Sequence, residues 1–277
     1  MPLSETEIFN CLKAIGDHDG NLSDIGEVGL LLAQLSLPGN ELATYRDELN
    51  LISMDMSLVS VGVNTLTDQI KSLTEIIYSK HGYHGDIKSY EDPQNANLMR
   101  VIDRRKGLPV ALGIIVIHAA RSQGWNIAGL NFPGHFLLRL SKLGEHAVID
   151  PFDEARLMLS DEIEQLLKGV YGSQIKLRKE FVEIVSDRDI LIRLQNNIKT
   201  RVLHEGNLNR AIETLVSMNL IAPTNVDILL ELALLEVNQG NYHRAIKRLE
   251  FFLERNSKAL DKVRIIDLKE KLKHNLN

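Results

Sequence analysis

Gly134-His135-Phe136-Leu137-Leu138-Arg139-Leu140 is followed, across Ser141-Lys142-Leu143-Gly144, by Glu145-His146-Ala147-Val148-Ile149-Asp150-Pro151-Phe152. Both runs are rich in branched and apolar residues and the segment between them is turn-forming, so the stretch reads as a β-hairpin. With Leu140 opposite Glu145, His135 falls directly across from Asp150, their Cβ atoms about 5 Å apart. That face carries His135, Leu137, Arg139, His146, Val148 and Asp150. The other carries Phe136, Leu138, Leu140, Ala147 and Ile149, is apolar throughout and therefore meets a core. A carboxylate so placed holds one imidazole nitrogen and fixes the tautomer, leaving the other nitrogen to take a proton from a nucleophile. The alternative is a half-buried histidine tied to an acid for structure alone.

In Cys/His/Asp enzymes the third member is a thiol at the start of a buried helix, where the helix dipole favours a thiolate. Here the candidate helix opens at Gly107-Leu108-Pro109-Val110-Ala111-Leu112 and runs to about Gln123, and its first turn has no thiol. Pro109 suits a first helical position, with φ preset and no N–H to leave unpaired, but it offers no nucleophile. The run from Val110 to Ile117 is apolar on every side, which marks a buried helix. It is far shorter than the roughly 18 residues a membrane span needs.

The order of these elements resembles the transglutaminase-like core. Asn95-Ala96-Asn97-Leu98, Arg104-Arg105-Lys106-Gly107-Leu108-Pro109-Val110-Ala111-Leu112, Asn131-Phe132-Pro133-Gly134-His135-Phe136 and Asp150-Pro151-Phe152 are together similar to a bacterial family of transglutaminase-like proteins with tetratricopeptide tails, known as invasion-gene regulators. The resemblance implies an α+β fold: a helical N-terminal subdomain and a papain-like core with a small antiparallel sheet, followed by all-α repeats. Laid on the enzyme pattern Gly-x-Cys, it puts Pro109 in the place of the thiol, with His135 and Asp150 as a vestigial pair. The resembling family tends to have glycines soon after Asp-Pro-Phe, whereas this chain has Asp153-Glu154-Ala155.

The single cysteine, Cys11, lies in an amphipathic stretch far upstream in sequence, and only Lys13 nearby is cationic. It reads as a small apolar residue more readily than as a relocated nucleophile. His81-Gly82-Tyr83-His84-Gly85-Asp86 offers two histidines and an aspartate, but the spacing is irregular and glycine-broken, so neither a metal nor another cofactor is expected. His118 reads as a helix residue at the edge of a core.

With 32 Lys+Arg against 37 Asp+Glu, a net charge of -5 and 44% hydrophobic residues, the 277-residue chain has the composition of a globular protein, most simply of two domains. A mildly acidic balance argues against nucleic acid, and the short cluster Lys176-Leu177-Arg178-Lys179 reads as a solvated face. No secretory pattern opens the sequence and no membrane contact is expected, so cytoplasm is the expected compartment. Apolar stripes over Ile25 to Leu35, Leu42 to Met54 and Thr65 to Ser79 indicate helices before the hairpin region.

After about Asp187 the sequence repeats: Gly206-Asn207-Leu208-Asn209-Arg210-Ala211-Ile212 recurs as Gly240-Asn241-Tyr242-His243-Arg244-Ala245-Ile246 at a spacing of 34, the tetratricopeptide period. This places a first domain at 1–186 and a repeat domain at 187–277, with repeats over 192–225 and 226–259 and a capping helix over 260–276. Two repeats are fewer than the three or so that stand alone, so the array is expected to pack on the first domain or on a second copy, as a homodimer. Two functions follow. One is a non-catalytic scaffold or adaptor whose tetratricopeptide helices hold a protein or peptide. The other is a hydrolase or acyl-transfer enzyme using the His135/Asp150 pair with an unidentified nucleophile.

Overall fold

A computed structural model describes residues 3–18, 20, 22–256 and 261–274. The chain forms two compact units, Met1–Ile8 with Asn21–Leu194, and Phe9–Gly20 with Gln195–Asn277.

In the first unit the helices are α2 (Ile25–Ser36), α3 (Leu42–Val59), α4 (Leu66–Leu73), α5 (Leu98–Arg104), α6 (Pro109–Ser122) and α7 (Ser160–Tyr171). Thr65 caps α4 by accepting from the Asp68 N–H at 3.1 Å, and α4 runs on as a π-helix over Thr74–Lys80 before Gly82 ends it in a left-handed conformation. The expected all-round apolar helix is α6, buried from Val110 to Ile117 and packed on α2, α3 and the first strand of the sheet. The short strands β1 (His84–Gly85) and β2 (Lys106–Gly107) pair in parallel just before α6.

The sheet is antiparallel, in the order β3 (Asn126–Gly129), β4 (Leu138–Lys142), β5 (Glu145–Asp150) and β6 (Arg156–Met158). Its hairpin differs from the expected one in register. Lys142 pairs with Glu145 and Leu138 with Ile149, so the turn is only Leu143-Gly144, both with positive φ. Such a primed two-residue turn matches strand twist, and it slides the pairing by two residues relative to a four-residue turn. A shift of two preserves the faces: Leu138, Leu140 and Ile149 are buried on the apolar side. It does remove Asp150 from the place opposite His135, which lies in a bend before β4. The other face is not simply polar, because Leu137, Val148 and Met158 pack there with Ile163 and Leu167 of α7.

The second unit contains the end of α1 (Glu5–Asp17), most of α8 (Asp187–His204), and α9 (Leu208–Ile221), α10 (Val226–Asn238), α11 (Tyr242–Arg255) and α12 (Lys262–His274). Helix α10 packs on α9 and α11, and α12 packs on α11. Ala211 and Ala245, the small residues of the repeated segment, are fully buried, as are Leu215 and Leu249 at the same offset. Glu236 is buried and held by Arg248 at 2.9 Å and Arg244 at 3.0 Å. Residues 257–260 and 275–277, where the second repeat and the cap were expected to end, lie outside the described residues.

Candidate functional site

Pro109 is the first residue of α6, half-buried, with Leu108 as the cap; the Leu108 N–H reaches the Asn95 carbonyl at 2.9 Å. The Asp150-Pro151-Phe152 corner lies against β1. A Cβ on Gly85 would fall 2.6 Å from the Phe152 ring, so only glycine lets the corner approach the strand pair that leads into α6. Tyr90 meets the same ring edge-on at 5.8 Å, and the buried Tyr78 hydroxyl donates to the Pro151 carbonyl at 2.8 Å.

Asp150 closes its own turn, accepting from the Phe152 N–H at 2.8 Å. Burial pushes its carboxyl above the ordinary carboxylate value. Asp153 adds to that, while the Phe152 and Asp153 N–H groups and His135 pull the other way without cancelling it. No hydrogen bond joins the Asp150 and His135 side chains among the described residues.

His135 is half-buried on a loop fixed from several sides. Gly134 has φ +73° and would place a Cβ 2.7 Å from Val170, so glycine is required there for both conformation and space. Phe136 lies on α6 at Gly113, and the Phe132 ring meets the His135 ring at 6.4 Å between centroids. Arg193 donates to the carbonyls of Phe132, at 3.2 Å, and of His135, and its guanidinium lies over the Phe136 ring at 5.4 Å. Burial lowers the Arg193 pKa from its ordinary value.

Beneath the start of α6 is a polar network whose roles were not visible in sequence. Buried Asp86 accepts from Lys106 at 3.0 Å, Arg104 at 3.1 Å and the Ser89 N–H at 3.0 Å, while Arg104 also reaches Asn95 at 3.0 Å. The motifs containing Asn95, Arg104 and Lys106 stand out in the sequence, but only the fold shows that they surround one buried acid. The two histidines of the His81–Asp86 loop have different partners: His81 meets Asp55 at 2.8 Å, and His84 meets the Gly82 carbonyl at 3.2 Å. Among the described residues no three His, Cys, Asp or Glu side chains are arranged to hold a metal ion. Cys11 is exposed on α1, not an apolar core residue.

His118, expected only at a core edge, lies between Asp24 at 3.0 Å and Ser53 at 3.1 Å. The order Ser-His-Asp is that of a triad, but the hydrogen bonds are not. The Ser53 hydroxyl donates to the Leu49 carbonyl at 3.1 Å, and His118 Nε2 faces that same carbonyl at 3.3 Å, which calls for a proton on the nitrogen that a general base must have free. Asp24 in turn accepts from the Gly26 N–H at 2.8 Å as the cap of α2. The arrangement fastens α2, α3 and α6 together.

A sequence profile described as the transglutaminase-like superfamily matches residues 42–196, more than half of the chain, and includes Pro109, His135, Asp150 and Arg193. The chain belongs to the transglutaminase-like superfamily. Among curated relatives it is 28% identical over 255 residues to a UPF0162 protein of Xylella fastidiosa, covering 81% of this chain and 91% of that one. A UPF0162 protein of Haemophilus influenzae is 27% identical over 206 residues, 73% of this chain and 77% of that one. A shorter match, 34% identical over 128 residues and 46% of each chain, is to a UPF0162 protein of Pseudomonas aeruginosa. Among the described residues of this transglutaminase-like chain, no helix is long and apolar enough to cross a membrane.

Proposed function

We propose that this chain is a non-catalytic transglutaminase-like scaffold or adaptor, cytoplasmic and regulatory, that binds a protein or peptide partner through C-terminal tetratricopeptide-type helices. The observation that carries this reading is Pro109 at the first position of α6, where the enzyme pattern has its attacking thiol. An imino acid cannot form an acyl-enzyme, and a histidine and an aspartate without a nucleophile do not restore that route. The absence of a direct bond between His135 and Asp150 among the described residues supports the same reading, since a general base needs its acid to fix the tautomer. The repeat reading is supported by the 34-residue spacing that puts the buried alanines Ala211 and Ala245 at equivalent helix contacts. Superfamily membership alone carries neither conclusion.

The test has two arms, both on the full chain. A partner that copurifies and can be reconstituted from pure components should be lost when exposed Leu234 of α10 becomes arginine. Incubation with a glutamine peptide and an amine donor, and with generic esters and amides, should give no turnover. Turnover that His135→Ala abolishes would establish the acyl-transfer or hydrolase alternative instead.

A further inference from the structure

The outward face of α3 carries Leu51, Met54 and Leu58, and the turn that follows the helix adds Val61. Their spacing of three, four and three residues sets them in one stripe. The stripe is open to solvent: Met54 is 65%, Leu58 73% and Val61 85% exposed. Charge is missing from it as well. In a chain with 25% charged residues, Asp55 is the one charged residue from Leu49 to Thr65, and it is buried against Lys80 and His81. Ser57 on the same face returns its hydroxyl to the Met54 carbonyl at 2.6 Å and so needs no outside partner.

Leu143 extends this surface. The Lys142 ammonium donates to the Val63 carbonyl at 3.3 Å, which ties the tip of the β4–β5 hairpin to the loop after α3. At that tip Leu143 is 97% exposed and has φ +50°. Glycine, asparagine or aspartate would close such a primed turn with less strain, and the last two would also be better solvated. Strain and exposure together at one apolar side chain mark a residue that is used outside its own chain.

The two ends of the stripe select its occupant. Asp47, four residues before Leu51, continues it at one end, exposed and with no side-chain partner among the described residues. Lys142 lies at the other end with its ammonium on a neutral carbonyl, and Glu145 across the hairpin makes no ion pair with it among the described residues. The surface is thus acidic at one end, basic at the other and apolar between, which makes it the complement of itself when turned end for end, as an interface on a two-fold axis requires. We infer that this face pairs with the same face of a second copy of the chain, the two α3 helices running antiparallel. In that register Met54 meets Leu58 of the second copy, Leu51 meets its Val61, and Asp47 reaches its Lys142, each contact being made twice. Parallel helices would instead set the two Asp47 carboxylates side by side. An anionic lipid surface fits less well, because Asp47 stands in line with the stripe and the chain carries a net charge of -5. The inference is independent of the adaptor reading, since none of these residues belongs to the C-terminal helices.

A contact of this extent belongs with the smaller specific interfaces, so its dissociation constant is expected at about 1–100 μM. Sedimentation velocity of the full chain from about 1 to 200 μM should show a monomer converting to a dimer. Leu58→Arg, at a mostly exposed position, should leave the chain folded by circular dichroism and monomeric at about 200 μM. Asp47→Lys and Lys142→Glu should each weaken the dimer about threefold or more, and the chain carrying both should regain the parent affinity, because the exchange restores both ion pairs. Leu143→Asn should weaken the dimer while raising the unfolding temperature of the monomer at about 1 μM, since asparagine tolerates the left-handed turn. A chain that stays monomeric at about 200 μM, or a dimer that Leu58→Arg leaves intact, overturns the inference. A doubly exchanged chain that dimerises no better than either single variant overturns the antiparallel pairing.

Discussion

Phe136 is seated on Gly113: a Cβ at Gly113 would lie 2.3 Å from Phe136 Cε1 and 2.9 Å from Cδ1. The residue after His135 therefore takes its position from a missing side chain on the buried helix, and the two ends of the candidate site are mechanically linked through α6. In an exposed helix, replacing glycine with alanine stabilises by about 0.5–1 kcal/mol. Here Phe136 is buried beneath Arg193 and has no room to retreat. Gly113→Ala should destabilise the chain by about 1–3 kcal/mol in denaturant titration and shift the His135 imidazole resonances. A stabilised variant with an unmoved His135 would show that the ring yields easily.

The turn after Asp-Pro-Phe stores strain at two side-chain-bearing residues, Glu154 with φ +51° and Ala155 with φ +57°. Left-handed backbone costs an L-residue about 1–2 kcal/mol, part of which glycine recovers before its greater freedom in the unfolded chain is counted. Glu154 is exposed, and its main-chain acceptor for Thr74 at 3.0 Å survives substitution. Glu154→Gly should therefore raise stability by about 0.5–1 kcal/mol, visible as a higher denaturant midpoint at unchanged slope. A fall of similar size would mean that the Glu154 side chain contributes more than its strained backbone removes.

These positions also show what sequence could and could not reveal. Departure from glycine at Asp153-Glu154-Ala155 was legible from the resemblance, and the left-handed φ values at Glu154 and Ala155 give its physical meaning. The two faces of the hairpin were legible because side-chain alternation has period two and survives any even shift in pairing. The register was not, because Leu143 gives no sign of adopting φ +50° and closing a two-residue turn. Helix α6 and its opening proline were plain from apolar continuity. The contacts of Asp86 with Arg104 and Lys106, and of His118 with Asp24 and Ser53, join residues far apart in the chain that no local pattern pairs.

Asp24 and His118 give a pH signature with a definite sign. Burial pushes the Asp24 carboxyl up, but the hydrogen bond and charge of His118, with the Gly26 and Glu27 N–H groups, outweigh it and hold it below the ordinary carboxylate value. A depressed folded pKa contributes stability that is present above the unfolded value, about 3.9, and is lost as pH falls through the folded one. Asp24→Asn keeps a helix-capping side chain while removing the charge. Its stability should consequently fall less steeply than that of the parent chain below about pH 4, when unfolding is followed by circular dichroism across that range. Identical acid limbs would show that the Asp24 charge contributes nothing to the clamp.

Asp150 has the opposite sign. Its folded pKa is raised, chiefly by burial, so its contribution is fully present below the unfolded value and is lost as pH rises through the folded one. At neutral pH the charge works against the fold. An amide at this position would still accept from the Phe152 N–H, the hydrogen bond that shapes the corner. Asp150→Asn should therefore be more stable than the parent chain near pH 7, with the difference closing as pH is lowered towards about 4. That outcome would mean the chain retains an acid where an amide folds better, which is the pattern of a group kept for contact with something outside the fold. If Asp150→Asn is instead the less stable protein at pH 7, the carboxylate is holding His135 electrostatically in the folded chain, and the pair is structural in its own right.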